Sequence, residues 1–593
     1  MLQNYSECSR TTRSDNIHLQ AKSNMGLLFD SFFMEILVVF GAILAWLYYY
    51  FTANFNYWKN KGVPYLKPVP FFGNLIEIGL HRKTQAEGFR ELYRKLEGQM
   101  FGGIFQTRIP MIMFRDPDLI KHVLIKDFSH FHDRGMPHDV ENDPISANLV
   151  ILEGQPWKNL RLTLNPAFNS SKMRILFHLV KECAEELSRY LDSFAQKGDD
   201  VDLRDVLARY ATDNISSCAF GVKSNSLKNP HSKFREMGEK IIAPGSWTNM
   251  HRLFRYTAPS LLKYFNIKSF SDEITDFFVD VVKETLDYRE NNKIERKDFL
   301  NLLIQLKKKV DITENDDEED KNAEDDLEKM NNAYNFSFEE HDEVTNKKFT
   351  KNGAVVMQNG QTPTENGQAT PRKKWLDSVV FDEHMIAAQV CVFFLGGFET
   401  AATSMSFCLY ELSLNQDVQR RLRDEIDHVL KEHNGNFTYN ALEQMEYLDH
   451  VVAETLRMYP SLPNLIRVCT KPYTIPGTNV LIDKGTPVII PIYAIHRDPL
   501  YYYDPDRFDP ERFTDYNKEK RPAYTYLPFG EGPRICIGLR FGLMQVKMGL
   551  AILVSRFQFD ICEKSQVPLI MDPKKFVMNT IGGLWLKVTP RAH

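Results

Sequence analysis

The sequence predicts a mainly α-helical protein with small β-sheets, preceded by one N-terminal transmembrane helix. Three observations carry that expectation. Residues 32–51 form a run of 20 in which Glu35 is the only charge, enough to cross a bilayer core as a helix. Downstream, helical periodicity dominates: 171–300 reads as several amphipathic helices, and 381–414 as one long apolar helix. Strand-like stretches are short. Residues 104–114 read as paired strands, and Val488-Ile489-Ile490 as a buried strand ended by Pro491.

Bulk properties narrow the function classes. A length of 593 residues suggests, as a soft prior, several domains, and an apolar content of 43% is ample for a large core. The net charge of −5, from 73 basic and 78 acidic residues, gives no sign of a nucleic-acid partner. Eight cysteines (8, 183, 218, 391, 408, 469, 536 and 562) lie scattered without repeated spacing, which fits a reducing compartment rather than a disulfide scaffold. There is no internal repeat.

In chain order, 1–30 is a polar extension expected to be disordered, with Met25 a candidate alternative start. Residues 31–51 are expected to form an uncleaved signal-anchor. The apolar run outlasts a signal core, no small-x-small site closes it, and Tyr48 to Phe51 suit an interfacial belt. Lys59, Lys61 and Lys67 follow the run, against Lys22 before it, which places the C-terminal body in the cytosol. Residues 52–74 are a proline-rich hinge, and 75–593 are the globular body.

Within that body, Asp116 caps a helix running to about Lys126, and 128–148 is a long loop carrying Arg134. Trp157 and Arg161 stand four apart on one helix face, where an indole N–H and a guanidinium can both donate to a carboxylate. Aromatics recur at Phe254, Tyr256, Tyr264 and Phe265. Residues 307–374 are acidic and then Asn-, Gly- and Thr-rich, too poor in apolar side chains to offset ordering entropy, and are expected to be a disordered insertion with no catalytic role.

Gly396 and Gly397 interrupt the long apolar helix at a cost of about 1 kcal/mol each against Ala, which suggests a functional reason such as a widened groove. Glu399 and Thr400 beside them are an acid and a hydroxyl in apolar surroundings, where each needs a partner. Glu454 and Arg457 lie three apart on a helix, upstream of Pro510-Glu511-Arg512-Phe513.

The chain is organised around Phe529-Gly530-Glu531-Gly532-Pro533-Arg534-Ile535-Cys536-Ile537-Gly538. Cys536 has no Cys or His at metal-clip spacing, which argues against a zinc knuckle. A thiolate close to the start of a helix gains from its free N–H groups and dipole. Glycines at 532 and 538 allow something flat to approach the backbone. A buried, inert Cys on a tight turn is the plain alternative.

This stretch resembles, position for position, the cysteine-ligand loop of cytochromes P450. With the proline hinge, Trp157 and Arg161, the Gly-Gly-x-Glu-Thr run, Glu454 and Arg457, and Arg512, the resemblance covers the chain from about residue 62 to its end. It implies one large, mostly helical haem domain over 75–593, most like the microsomal branch with insect and vertebrate xenobiotic oxidases.

The resemblance further implies haem b held through Cys536 as axial thiolate, within a loop defined by Phe529, Gly532, Arg534 and Gly538. It implies propionate contacts from Trp157, Arg161, Arg467 and Arg134. Thr400 would serve oxygen activation and Glu399 proton delivery, and Glu454, Arg457 and Arg512 would form a buried triad. Two positions depart from the family pattern: Gly396 where Ala is usual, and Ala401 where Ser or Thr is usual.

The activity implied is a monooxygenase of the endoplasmic reticulum membrane, its body cytosolic, acting on a lipophilic small molecule. Electrons would come from NADPH through a P450 reductase, with cytochrome b5 as a second candidate donor. Lys158, Arg540 and Lys547 are candidates for steering that partner. Two rivals stand beside it: an isomerase or dehydratase on the same fold, and a non-catalytic haem- or ligand-binding protein.

Overall fold

The computed structural model describes residues 32–136, 138–242, 268–294, 296, 298–305 and 382–591. The expectations for 1–30, for Met25, for the aromatics at 254, 256, 264 and 265, and for the 307–374 insertion fall outside the described residues. The chain divides into two compact units, Met1–Leu300 with Glu383–His593, and Asn301–Asp382. All elements named here belong to the first; the described part of the second is 301–305 and Asp382.

The apolar N-terminal run forms helix α1 (Phe32–Thr52), with Ile36, Val39, Phe40, Ile43 and Trp46 all exposed. A capping box starts α2 (Gln85–Lys95): Glu87 N–H donates to Thr84 Oγ1 at 3.2 Å and Thr84 N–H donates to Glu87 Oε2 at 2.9 Å. The expected strand pair is an antiparallel hairpin of β1 (Phe101–Gln106) and β2 (Ile109–Phe114), in register from Phe101↔Phe114 to Gln106↔Ile109. Asp116 then accepts from the N–H groups of Asp118 and Leu119, both at 3.0 Å, and starts the helix Pro117–Lys121. The chain continues to Lys126 as a π turn, so the expected helix changes pitch midway.

Six helices and a strand follow: α3 (Gly154–Leu164), α4 (Ser170–Ala195), β3 (Asp200–Asp202), α5 (Leu203–Ile215), α6 (Lys233–Ile242), α7 (Asp272–Asn292) and the 32-residue α8 (Glu383–Leu414). Next come α9 (Gln416–Glu432) and α10 (Glu446–Met458). Strands β4 (Leu465–Val468), β5 (Tyr473–Thr474), β6 (Leu481–Ile482) and β7 (Pro487–Ile490) precede the cysteine loop, α11 (Leu539–Arg556), β8 (Phe557–Asp560) and β9 (Trp585–Pro590).

The largest sheet runs β1-β2-β7-β4, with β2 parallel to β7 through Ile112↔Val488 and Met113↔Ile489. Its core gathers Trp58, Phe105, Phe114, Ile112 and Ile489. Trp58 lies flat on β1 because Gly103 carries no Cβ there, and its indole N–H donates to Ile104 O at 3.2 Å.

Among the described residues, α8 alone is long and apolar enough to cross a membrane by length and composition. With 67% of its most apolar window buried inside the protein, it is a core helix. By the same measure the apolar described stretch of α1, Ile36–Thr52, is shorter.

Candidate active site at the cysteine loop

The loop before α11 is shaped by its glycines. Gly530 and Gly532 both adopt φ +74°, a left-handed conformation that L side chains resist. A Cβ at Gly532 would also collide with the carbonyl of Leu124 on the π turn. A short 3-10 turn, Gly532–Arg534, brings Cys536 back, and its N–H donates to Phe529 O at 3.0 Å. Cys536 is exposed, whereas Cys218, Cys391, Cys408 and Cys469 are buried. Crowding by protein around its other sides raises the thiol above the usual range, while the Gly538 N–H and the Arg161 and Arg134 cations oppose that rise.

Four guanidinium groups gather near this thiol. Arg534 Nε donates to His132 O at 2.8 Å and its Nη2 to Leu152 O at 2.9 Å, while the group stacks 3.8 Å from the Trp157 ring centre. Burial, with Arg134 and Arg467 close by, pushes Arg534 down to about 8. Arg467 projects from β4 into the interior, 1% exposed. Its Nη1 donates to Ile466 O at 2.9 Å and its buried Nε has no acceptor. Burial and Arg134 push Arg467 down to about 9.

Arg134 donates to Val150 O at 3.0 Å and is pushed down to about 10 by burial and by Arg161. Arg161 is buried on α3, one turn from the buried Trp157. Asp133 and Glu153 lie beside Arg534 and are the acids in reach. Four cations with so little counter-charge, one carrying an unmet buried N–H, suit an anionic ligand with more than one carboxylate. A haem meets that description, and the exposed sulfur suits its iron.

Helix α8 places its two glycines differently. A Cβ at Gly397 would press on Ile215 of α5 at 2.7 Å, so that glycine permits close helix packing. A Cβ at Gly396 would meet nothing within 4 Å; this is an exposed notch in the largely buried middle of the helix. Thr400 Oγ1 donates to Gly396 O at 2.6 Å, so the hydroxyl is aimed back along that notch.

Glu399, 2% exposed, turns elsewhere. Its carboxylate accepts from Arg204 Nη2 of α5, and from Asn579 Nδ2 at 3.4 Å. Arg204 Nε in turn donates to Asn579 Oδ1 at 3.3 Å.

Glu454, Arg457 and Arg512 come together below the loop. Arg457 Nε donates to Glu454 Oε2 at 2.6 Å and Nη2 to Oε1 at 2.8 Å, with both side chains fully buried. Arg512 Nε reaches Glu454 Oε1 at 3.3 Å, and Asp509 N–H donates to the same oxygen at 2.8 Å. Arg457 Nη1 also donates to the carbonyls of His496 and Pro505, both at 2.8 Å.

A model of the cytochrome P450 family matches residues 63–336 and 318–586 of this chain. Cytochrome P450 6k1 of Blattella germanica is 39% identical over 558 residues, covering 93% of this chain and 96% of the relative. The chain belongs to the cytochrome P450 family. Cytochrome P450 6a2 of Drosophila melanogaster is 36% identical, covering 93% and 98%, and cytochrome P450 9e2 of Blattella germanica is 37% identical, covering 91% and 95%. As a P450 it is a member of an oxidoreductase family built on haem–thiolate chemistry, and its similarity to these insect members extends over nearly the whole chain.

With the P450 family in view, the structure takes one residue out of the expected docking charges and adds three residues to the site. Lys547 is buried and ion-paired with Asp449 at 2.7 Å, so it does not belong among surface charges that steer a partner; Lys158 and Arg540 are exposed. Lys547 lies in the middle of α11, whose inner face packs into the core. Arg204, Asn579 and His496 were not singled out by motif. An Arg two residues after the Asp202 cap, in the first turn of α5, was the local signal of the first.

Proposed function

We propose that this P450 is a haem-thiolate monooxygenase inserting one oxygen atom of O2 into a lipophilic organic substrate. The observation that carries the reading is the exposed Cys536 sulfur beside a surplus of buried guanidinium groups. Bound there, the haem iron would supply dioxygen activation by electrons delivered singly from NADPH through a P450 reductase.

The chain's own residues then divide the work. Cys536 would hold the iron through its thiolate, presented by Phe529, Gly532 and Gly538. Arg134, Arg161 and Arg467, with the Trp157 indole, would hold the haem propionates. Arg534, already engaged by three backbone carbonyls, locks the cysteine loop to the 132–152 segment and adds positive charge. Thr400 holds a proton at Oγ1 beside the Gly396 notch. Glu399, once it leaves Arg204, would take up a proton from water and relay it toward Thr400. Glu454, Arg457 and Arg512 fix the scaffold beneath the loop.

Helix α1 anchors the body to the endoplasmic reticulum membrane from the cytosolic side. Its exposed apolar side chains and the basic residues after it support that reading. Its last turn meets the hinge through Phe51 and Phe71, ring centres 5.2 Å apart, and Arg108 sits 4.1 Å from the Tyr50 ring centre. Reductase, with cytochrome b5 as a second donor, would approach the face carrying Lys158 and Arg540.

The test is a carbon-monoxide difference spectrum of the reduced protein, followed by NADPH-dependent turnover with reductase. A thiolate-type Soret band that Cys536→Ser abolishes, with product formed only when NADPH and reductase are present, is the expected result. Product formed from a peroxide without reductase would move the reading to an isomerase or dehydratase.

A further inference from the structure

The segment that feeds the cysteine loop, 525–527, is held by contacts that converge on one ring. Leu527 is buried, and its N–H donates to His496 Nε2 at 2.9 Å. With Nε2 accepting, the proton sits on Nδ1, which faces Arg457 O at 3.2 Å and donates to it. Arg457 returns a bond from Nη1 to His496 O at 2.8 Å. The imidazole stacks on Tyr526, ring centres 5.5 Å apart and planes at 21°, with Tyr502 edge-on at 6.4 Å. Beyond Leu527, its carbonyl accepts from Gly530 N–H at 3.0 Å, and Phe529 O accepts from Cys536 N–H at 3.0 Å. An unbroken path therefore runs from the fully buried Glu454–Arg457 pair through His496 to the loop that carries the sulfur.

We infer that His496 is the positioning residue that registers the cysteine loop on the Glu454–Arg457 pair and so fixes where Cys536 presents its sulfur. The inference rests on the reading of Cys536 as iron ligand. Only a neutral imidazole meets the local demand: a flat ring between tyrosines, an acceptor at one end and a donor at the other. Burial and the neighbouring Arg457, Arg497 and Arg521 hold the ring neutral, pushing it down to about 3. Loss of the ring leaves a buried Leu527 N–H without an acceptor, in the segment just before the loop.

The test uses the full-length haem protein and two amides of different reach. Asn places a donor where Nδ1 stands and keeps the bond to Arg457 O; Gln reaches to the Nε2 position and keeps the bond to Leu527. For His496→Asn, hydrogen exchange at the Leu527 amide rises about tenfold, as loss of one buried bond requires. The reduced carbon-monoxide complex shifts in part to the form lacking thiolate ligation. His496→Gln returns both readouts toward the parent. Either readout staying within about twofold of the parent in His496→Asn, or His496→Gln faring no better than Asn, overturns the inference. Should His496→Asn yield no folded protein, His496→Gln must still fold with Leu527 protected, and its failure to do so is equally decisive. Cys536→Ser in parallel separates the two readings: an unchanged spectrum there removes the ligand assignment and leaves the exchange result standing.

Discussion

Arg204 on α5 is bound to Glu399 on α8, with the two side chains only 12% and 3% exposed. The acid that the motif places next to Thr400 is thus held by a cation from another helix and by Asn579. Glu399→Gln with Arg204 intact leaves a cation short of its partner, and Arg204→Met leaves a carboxylate short of its own. Breaking a buried pair of this kind costs about 3–5 kcal/mol. Chemical unfolding should show each single replacement destabilised on that order and the double replacement recovering most of the loss. Equal and additive losses would mean that the two residues are energetically independent.

The glycines give opposite expectations. Gly532→Ala forces a left-handed φ on Ala, which costs about 1–3 kcal/mol, and drives a methyl into the Leu124 carbonyl. Haem content measured after purification should collapse. Gly396→Ala meets open space within a helix and should stabilise by about 0.5–1 kcal/mol while retaining the cofactor. Gly538→Ala also meets no protein atom within 4 Å, so a fall in its haem affinity would report the cofactor itself.

In the triad, Arg457→Ala removes the cation fully buried with Glu454 and should cost about 3–5 kcal/mol, leaving no stable haem protein. Arg512→Ala should cost less. Its contact with Glu454 is longer, at 3.3 Å, and its other donors reach the carbonyls of Tyr503 and Asp504 near the surface. Thermal unfolding of the two variants tests the ranking.

His496 predicts an acid sensitivity. In the fold the ring takes up its proton only near pH 3, whereas in the unfolded chain it does so near its ordinary 6.5. Between those values the unfolded state binds the extra proton, so stability falls as pH drops from about 6.5 toward 3. His496→Gln should remove this part of the pH dependence. An unfolding free energy with the same slope in parent and variant across that window would contradict it.

Charge reversal should separate the basic residues near α3 and α11. Lys158→Glu, at an exposed site, should weaken reductase association and its salt dependence with little effect on stability. Lys547→Glu sets two carboxylates where an ion pair stood, so it should lower the melting temperature. A reductase affinity unaffected by Lys158→Glu would remove that residue from the docking face.

Local chemistry made the cysteine loop, the 104–114 hairpin, the Asp116 cap and the Glu454–Arg457 spacing readable, because each is written in residues a few positions apart. Arg467 was legible only through the family resemblance, because nothing local reveals that β4 turns it inward. Glu399 was legible as a buried acid, yet its partner lies 195 residues earlier in sequence, beyond any periodicity. Lys547 looked like one more surface charge until α11 was seen to bury it. Side chains whose role depends on a distant element are the ones a sequence hides.

The parallel pairing of β2 with β7 has a consequence for biogenesis. Ile112 must find Val488, which a ribosome delivers several hundred residues afterwards, an interval on the order of tens of seconds. Until then the β1–β2 ribbon offers a bare edge, and Trp58 has only part of its burial. A nascent chain in that condition needs chaperone cover, and the membrane anchoring proposed for α1 would keep it apart from other unfinished copies.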